Sequence, residues 1–329
     1  PYKGEEKTLT DIWGDRTSSN REDRILSYKI LSDFYNKEYN NVIFKNIYSD
    51  VCKDNVTSME IRNIKGVMTS RNESEELDDE VVNKLIHIVE SNYSIFSEYL
   101  KMKKKFLKLD DFNVYDILAP FGDASEKLSY EKGCGMYLET IKKVDESLYN
   151  HGVEMLSGKT DVYPKKGKRG GAFCAYDKHG ESQYVLLNWQ DKLDDLNTLA
   201  HEFGHAFHGM LSLKQNNLQY HSPLVLAETS SIFNETVIFN QLLNQTKSKD
   251  DRDVLIFNRL DDLFSTIFRQ IMYIKFEQIC HESWKNNVPL GSDDYNTIWL
   301  NEFKSLVGDS IEWNKENEDM VKWGWMSIP

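Results

Sequence analysis

The chain has 329 residues, 40% of them hydrophobic and 28% charged, with a formal net charge of −13. This is a globular composition with room for a large core or two lobes, and its acidic balance argues against a nucleic-acid partner. Cys52, Cys134, Cys174 and Cys280 lie far apart with no CxxC spacing, no apolar run reaches membrane-spanning length, and the first thirty residues lack the apolar stretch of a signal peptide, so a cytoplasmic protein without membrane contact is expected.

Most of the sequence reads as helix. From Arg24 to Tyr48 apolar residues recur at helical spacing. The acidic stretch Asn72 to Glu80 reads as a loop. A long helix follows, with Val81, Leu85, Ile88, Val89 and Tyr93 on one face, and runs on in pieces to about Leu107. The basic run from Lys101 to Lys108 fits its solvated side. Residues Tyr115 to Pro120 form a break, because a proline disfavours helix before it. Leu138 to Leu156 predicts another helix.

The pattern then changes. Lys165 to Gly171 is a Lys/Gly-rich turn, Gly171 to Tyr176 a candidate strand, and Asp177 to Ser182 a second turn. Tyr184, Val185, Leu186, Leu187, Asn188 and Trp189 make the best strand in the chain by β-branched and aromatic content. A small sheet is therefore expected directly before the next helix, Asp191 to about Leu213, which opens on Asp191, Asp194 and Asp195. Lys214 to Ser222 is a polar loop. Pro223 opens a helix to about Gln245, Thr246 to Asp253 is a charged loop, and a long helix spans Val254 to about Asn286.

His201-Glu202-Phe203-Gly204-His205 is an HExxH motif inside a predicted helix. Histidines four apart share a helix face and can reach one zinc ion, with Glu202 beside them as general base. A catalytic zinc takes three protein ligands. A histidine six residues after His205 would supply the third in one class, but that residue is Leu211. A glutamate on the following helix is the other common solution. Glu228 and Glu235, seven apart, share a helix face, so either could bind the metal while the other orients a histidine through its far nitrogen. His208 lies on the same face as His201 and His205. It reads as a packed or outer partner, since as a fourth ligand it would close the site and make the zinc structural. Cys174 reads as a small buried hydrophobe, and His87, His151 and His281 as ordinary helix residues. His179 and His221 lie near the motif without a ranking. The strand Tyr184–Val185–Leu186–Leu187–Asn188 is the candidate holder of an extended peptide by backbone pairing.

The motif HEFGHAFH resembles that of the thimet oligopeptidase and oligoendopeptidase F family of zinc metallopeptidases. The likeness extends over residues 161–174 (DVYPKKGKRGGAFC), 184–208 (YVLLNWQDKLDDLNTLAHEFGHAFH) and 226–235 (LAETSSIFNE). It also takes in 90–120 and a later helix with Ile267 to Tyr273, and it is nearest the oligoendopeptidase F branch. The resemblance implies a mainly α, two-lobed, zincin-type peptidase domain with a small β-sheet before the HExxH helix and a deep channel. It implies one Zn²⁺ held by His201, His205 and Glu228, and Glu202 as catalytic base. The implied activity is endopeptidase cleavage of short oligopeptides. A zinc exopeptidase, or an impaired homologue that only binds peptide, is the alternative. The expected division is a helical lobe at 1–160 and a zinc-binding catalytic lobe at 161–329.

In that family a stretch rich in His and Tyr follows a Trp…Ile-Pro segment and lends donors to the transition state. This chain ends at Ile328-Pro329 and opens on Pro1, so truncation at both ends is expected. The His/Tyr donors would then come from a missing segment or a second chain, and the chain alone is expected to bind zinc and to hydrolyse peptide weakly.

Overall fold

The computed structural model describes residues 8–122, 127–177 and 182–328. Helix dominates, and one three-stranded sheet stands immediately ahead of the HExxH helix, as expected. Local chemistry sets the breaks. The run expected as one helix from Arg24 to Tyr48 is two, Arg21–Tyr35 and Glu38–Arg62. The Asn20 side chain caps the first, and Asn63, in the left-handed region at φ 55°, ends the second. The expected 138–156 helix is likewise two, Tyr130–Ile141 and Glu146–Leu156. Asp145 Oδ1 starts the second by accepting from the N–H groups of Ser147 (2.7 Å) and Leu148 (3.1 Å). The acidic stretch read as a loop is partly helical, with Thr69–Ser74 before it closes and Asp79–Ser91 after it. In Asp79–Ser91 the buried row is Val82, Ile86 and Val89, while Val81, Leu85 and Ile88 are exposed. Of the row predicted, Val89 and Tyr93 are buried, and the rest of the apolar face lies one position on, at Val82 and Ile86. The charged loop after Gln245 is short, because helix resumes at Lys249–Phe264, passes through a wider π turn at Ser265–Arg269 and continues as Gln270–Lys285.

Contacts divide the chain into two compact units, Pro1–Phe121 with Ile256–Pro329, and Gly122–Leu255. This differs from the single cut at 160, because the helices after Ile256 pack on the N-terminal core. In the first unit, Gln270–Lys285 packs against Glu38–Arg62, and Trp323 stacks on Tyr35 with ring centroids 4.5 Å apart. Tyr48, Phe276, Tyr295 and Trp325 are buried together in that core, each aromatic contributing roughly 1.5–3 kcal/mol by burial. Asp116, fully buried, accepts from Arg21 Nη2 (2.7 Å) and Arg24 Nη2 (2.9 Å), which pins the Tyr115 to Pro120 break to the first long helix. No helix among the described residues is long and apolar enough to cross a membrane.

The second unit holds the sheet: β1 (Thr160–Asp161), β2 (Phe173–Asp177) and β3 (Ser182–Leu186), in spatial order β1-β3-β2. β3 runs parallel to β1 and antiparallel to β2, with Val185 opposite both Thr160 and Cys174. Val185, Leu187 and Trp189 pack with Leu196, Leu199, Ala200, Phe203 and Ala206 of the HExxH helix. Trp189 Nε1 is satisfied by the Leu128 carbonyl at 3.1 Å.

His151 is buried in this unit beside the Ala206 carbonyl and the Gln183 amide, with both ring nitrogens outside hydrogen-bonding geometry. Burial holds its pKa below the ordinary histidine value, against the pull of Glu154. The unfolded chain then binds this proton more readily than the folded one. Stability is full above about pH 6.5, the unperturbed histidine value, and declines as pH falls from there toward the folded-state pKa. Urea unfolding in EDTA should show a smaller loss between pH 7 and pH 5 for His151→Leu than for the parent. Parallel pH dependences would exclude this group as a source of acid instability.

Candidate metal centre

The HExxH helix runs Leu193–Ser212. Asp191 enters it in the left-handed region at φ 61°, and Asp195 Oδ2 accepts from the N–H groups of Gln190 (2.8 Å) and Lys192 (2.9 Å). This fixes the helix start and so the rotation of the whole element. Leu196, Leu199, Ala200 and Phe203 go into the core. His201 and His205, one turn apart, are left on another face, with Nε2 atoms 3.1 Å from each other.

The following helix, Leu224–Gln245, packs against it at unusually close range. Gly204 permits this. A Cβ there would lie 2.5 Å from Ser231 Cα and 2.6 Å from the Ser230 carbonyl oxygen. Ser230 Oγ donates to the Gly204 carbonyl at 2.8 Å. The close approach brings Glu228 Oε2 to 3.3 Å from His201 Nε2 and 3.6 Å from His205 Nε2. Ser231 Oγ lies 2.8 Å from the same carboxylate oxygen and holds its rotamer.

Three donors each about 2.1 Å from a tetrahedral ion stand about 3.4 Å apart. The separations of 3.1, 3.3 and 3.6 Å match that triangle. Two imidazoles and one carboxylate are also a donor set that zinc accepts. Among the described residues this is the one cluster of His, Cys, Asp and Glu with such convergence.

Glu235 is not part of the triangle. Its Oε1 accepts from His201 Nδ1 at 2.6 Å, which keeps the proton on Nδ1 and leaves Nε2 free to point at the other donors. That hydrogen bond also raises the pKa of His201, whereas burial lowers that of His205. His208 stays outside the triangle as well, with a buried Nδ1 that lacks a hydrogen-bond partner. Removing the Glu235 carboxylate with Glu235→Ala should weaken zinc binding about 10–100-fold. Competition against a chromogenic chelator measures this, and unchanged affinity would mean that the His201 tautomer does not depend on Glu235.

Glu202 is 6% exposed. Burial pushes its carboxyl up to about 7; His201 pulls it down, Glu228 pushes it up, and the backbone N–H of Cys174 pulls it down. That contact places β2 at the centre. Cys174 pairs with Val185 on β3, and its N–H turns away from β3 toward Glu202. The expected peptide-holding segment, Tyr184, Val185, Leu186, Leu187 and Asn188, is corrected here. β3 is the middle strand. One side is paired with β2, and on the other Val185, Leu187 and Trp189 donate to the carbonyls of Lys159, Asp161 and Val162 at 2.8–3.0 Å. These paired groups are not free to hold a peptide. Among the described residues the open edge beside Glu202 belongs to β2.

Burial pushes the Cys174 thiol up to about 12, as suits a packed residue. His221 stacks on Tyr176 of β2 with centroids 5.3 Å apart. His179 lies outside the described residues. The parts that sequence reasoning missed are Gly204, Ser230, Ser231 and the Cys174 N–H. The small residues Gly204, Ser230 and Ser231 were a visible signal of close helix approach.

The model of Peptidase family M3 matches residues 16–321. Oligopeptidase PepF of Bacillus subtilis is 28% identical over 333 residues, covering 99% of this chain and 48% of that protein. An oligoendopeptidase F homolog of Lactococcus lactis is 30% identical over 327 residues, covering 95% and 51%. The crystal structure of oligoendopeptidase-F from Enterococcus faecium superposes with a TM-score of 0.72 at 20% identity, over 100% of this chain and 52% of that one, which shows a shared fold. The chain spans about half the length of the curated relatives it matches. With a family match over nearly its whole length, the chain belongs to peptidase family M3.

Proposed function

We propose that this chain carries the metal site and general base of a zinc endopeptidase acting on short oligopeptides. The observation that carries the reading is the triangle of His201 Nε2, His205 Nε2 and Glu228 Oε2 with the Glu202 carboxylate one residue from a donor. His201, His205 and Glu228 would hold one Zn²⁺, and Glu235 would orient His201. When bound, the ion supplies Lewis acidity, which acidifies water and polarises a carbonyl. Glu202 accepts the proton of the attacking water and returns it to the leaving nitrogen, as base and then acid. Its buried setting supports that role, since a carboxyl with a pKa near the working pH can do both.

An extended peptide on the open edge of β2 would present its backbone beside Glu202, so recognition reads main chain more than side chain. Four unpaired thiols support a reducing, cytoplasmic setting. Two measurements test the reading together. Dialysis against trace zinc followed by metal analysis should give one ion per chain. The fragments from one labelled peptide should be internal cuts, whereas stepwise trimming would favour an exopeptidase. A preparation that holds no zinc would end the reading.

A further inference from the structure

The loop that leads into β2 has a use that the metal chemistry does not require. In a chain of net charge −13, residues 165–169 carry four cations, Lys165, Lys166, Lys168 and Arg169. The loop is tied down at both ends. Lys168 Nζ donates to the carbonyls of Asp161 (3.1 Å) and Tyr163 (2.9 Å). Asn188 Nδ2 donates to the carbonyls of Arg169 (3.0 Å) and Gly171 (2.7 Å). The carboxylate at hand, Asp161, is taken by Lys168 at 3.2 Å and Lys165 at 3.5 Å.

Lys166 and Arg169 are left over, and of the two Arg169 is the one that lies against β2. It is exposed and has no carboxylate partner among the described residues. Its guanidinium lies 5.6 Å from the ring centroid of Phe173, the first residue of β2. The next residue is Cys174, whose N–H faces Glu202. A fixed backbone thus holds an uncompensated guanidinium one residue along the open edge from the general base. An extended peptide alternates its side chains between the two faces of a sheet. Phe173 and Ala175 are on the exposed face, away from the HExxH helix. A peptide side chain on that face meets Arg169.

We infer that Arg169 is a specificity residue that selects peptides carrying a carboxylate close to the cleaved bond. A guanidinium resting on an aromatic ring keeps its donor fork free for a planar carboxylate. The carboxylate can belong to an Asp or Glu side chain or to the peptide C-terminus. This inference rests on the proposed peptidase reading, because it needs a peptide on β2.

The test is equilibrium binding of fluorescein-labelled peptides to the zinc-loaded chain bearing Glu202→Gln, so that no peptide is consumed. The set holds a neutral octapeptide, versions with Glu or Lys scanned through its central positions, and each with a free or amidated C-terminus. Glu at one central position should tighten binding about tenfold at low salt, with salt reducing the gain. Adding Arg169→Gln should bring the Glu-to-neutral ratio to about one, and Arg169→Glu should reverse it in favour of Lys. A gain that vanishes on amidation assigns the effect to the C-terminal carboxylate, and one that survives assigns it to the side chain. Neutral peptide bound with no preference for Glu, or a preference that survives Arg169→Glu, overturns the inference and leaves the peptidase reading standing. No binding of any peptide overturns the peptidase reading and the inference with it.

Discussion

Glu202→Gln should leave the zinc content at one ion per chain and lower peptide hydrolysis by about 10²–10⁴-fold in kcat, the usual contribution of a positioned acid–base group. The substitution is nearly isosteric. It keeps an oxygen facing the Cys174 N–H, and it leaves His201, His205 and Glu228 untouched. What it removes is a site that takes a proton from water. The sign of the pH effect follows from burial. The neutral acid is favoured in the site, with a pKa pushed up to about 7, and the ionised form is the one that accepts a proton. The parent rate should therefore climb as Glu202 ionises, and the variant should lack that limb. Metal analysis and cleavage of one quenched peptide, run side by side, decide the matter. A variant that cleaves at the parent rate takes Glu202 out of the chemistry, and one without zinc makes it a metal-holding residue instead.

The HExxH helix was legible because it has one strong apolar row and a clear start at the aspartates around Leu193, and the helix after it because it has a clear start at Pro223. Spacing alone did not decide between Glu228 and Glu235; only the family resemblance favoured Glu228. Both lie on one helix face, and only the depth of the Gly204–Ser231 contact brings Glu228 to both Nε2 atoms and Glu235 to the far side of one ring. The Asp79–Ser91 face shows the same limit in simpler form. Val81, Leu85 and Ile88 form one row, and Val82, Ile86 and Val89 form another one position along. Periodicity cannot choose between adjacent rows of equal hydrophobicity; the neighbouring helices do. Residues 184–186 were read correctly as strand, although β3 begins earlier, at Ser182, and ends before Leu187, but position within a sheet depends on partners far away in sequence. Thr160–Asp161 is too short to announce itself, and its pairing is what turns β3 from an edge into a centre.

Gly204→Ala should cost stability and metal affinity together. Two effects compete. Alanine gains about 0.8–1 kcal/mol in helix propensity over glycine. Against it, the new methyl would sit 2.5 Å from Ser231 Cα and 2.8 Å from Ser231 N, where ordinary contacts need at least 3.4 Å. The obstacle is backbone, so no side chain can rotate aside. The helices must separate by about 1 Å, and overpacking of this kind costs about 1–3 kcal/mol. The steric term wins, and the urea midpoint should fall. The larger consequence is at the donors. Glu228 and Glu235 both belong to the displaced helix, while His201 and His205 stay on the other. A shift near 1 Å exceeds the tolerance of a zinc–oxygen bond and lengthens the 2.6 Å contact that orients His201. Zinc affinity should drop by more than about 100-fold, beyond the loss of an orienting group alone, with peptide cleavage falling in step. Alanine at Gly135, where a Cβ meets nothing within 4 Å, is the matched control and should gain slightly from propensity. If Gly204→Ala binds zinc as tightly as the parent, the two helices can adjust without moving Glu228, and close packing is not what assembles the centre.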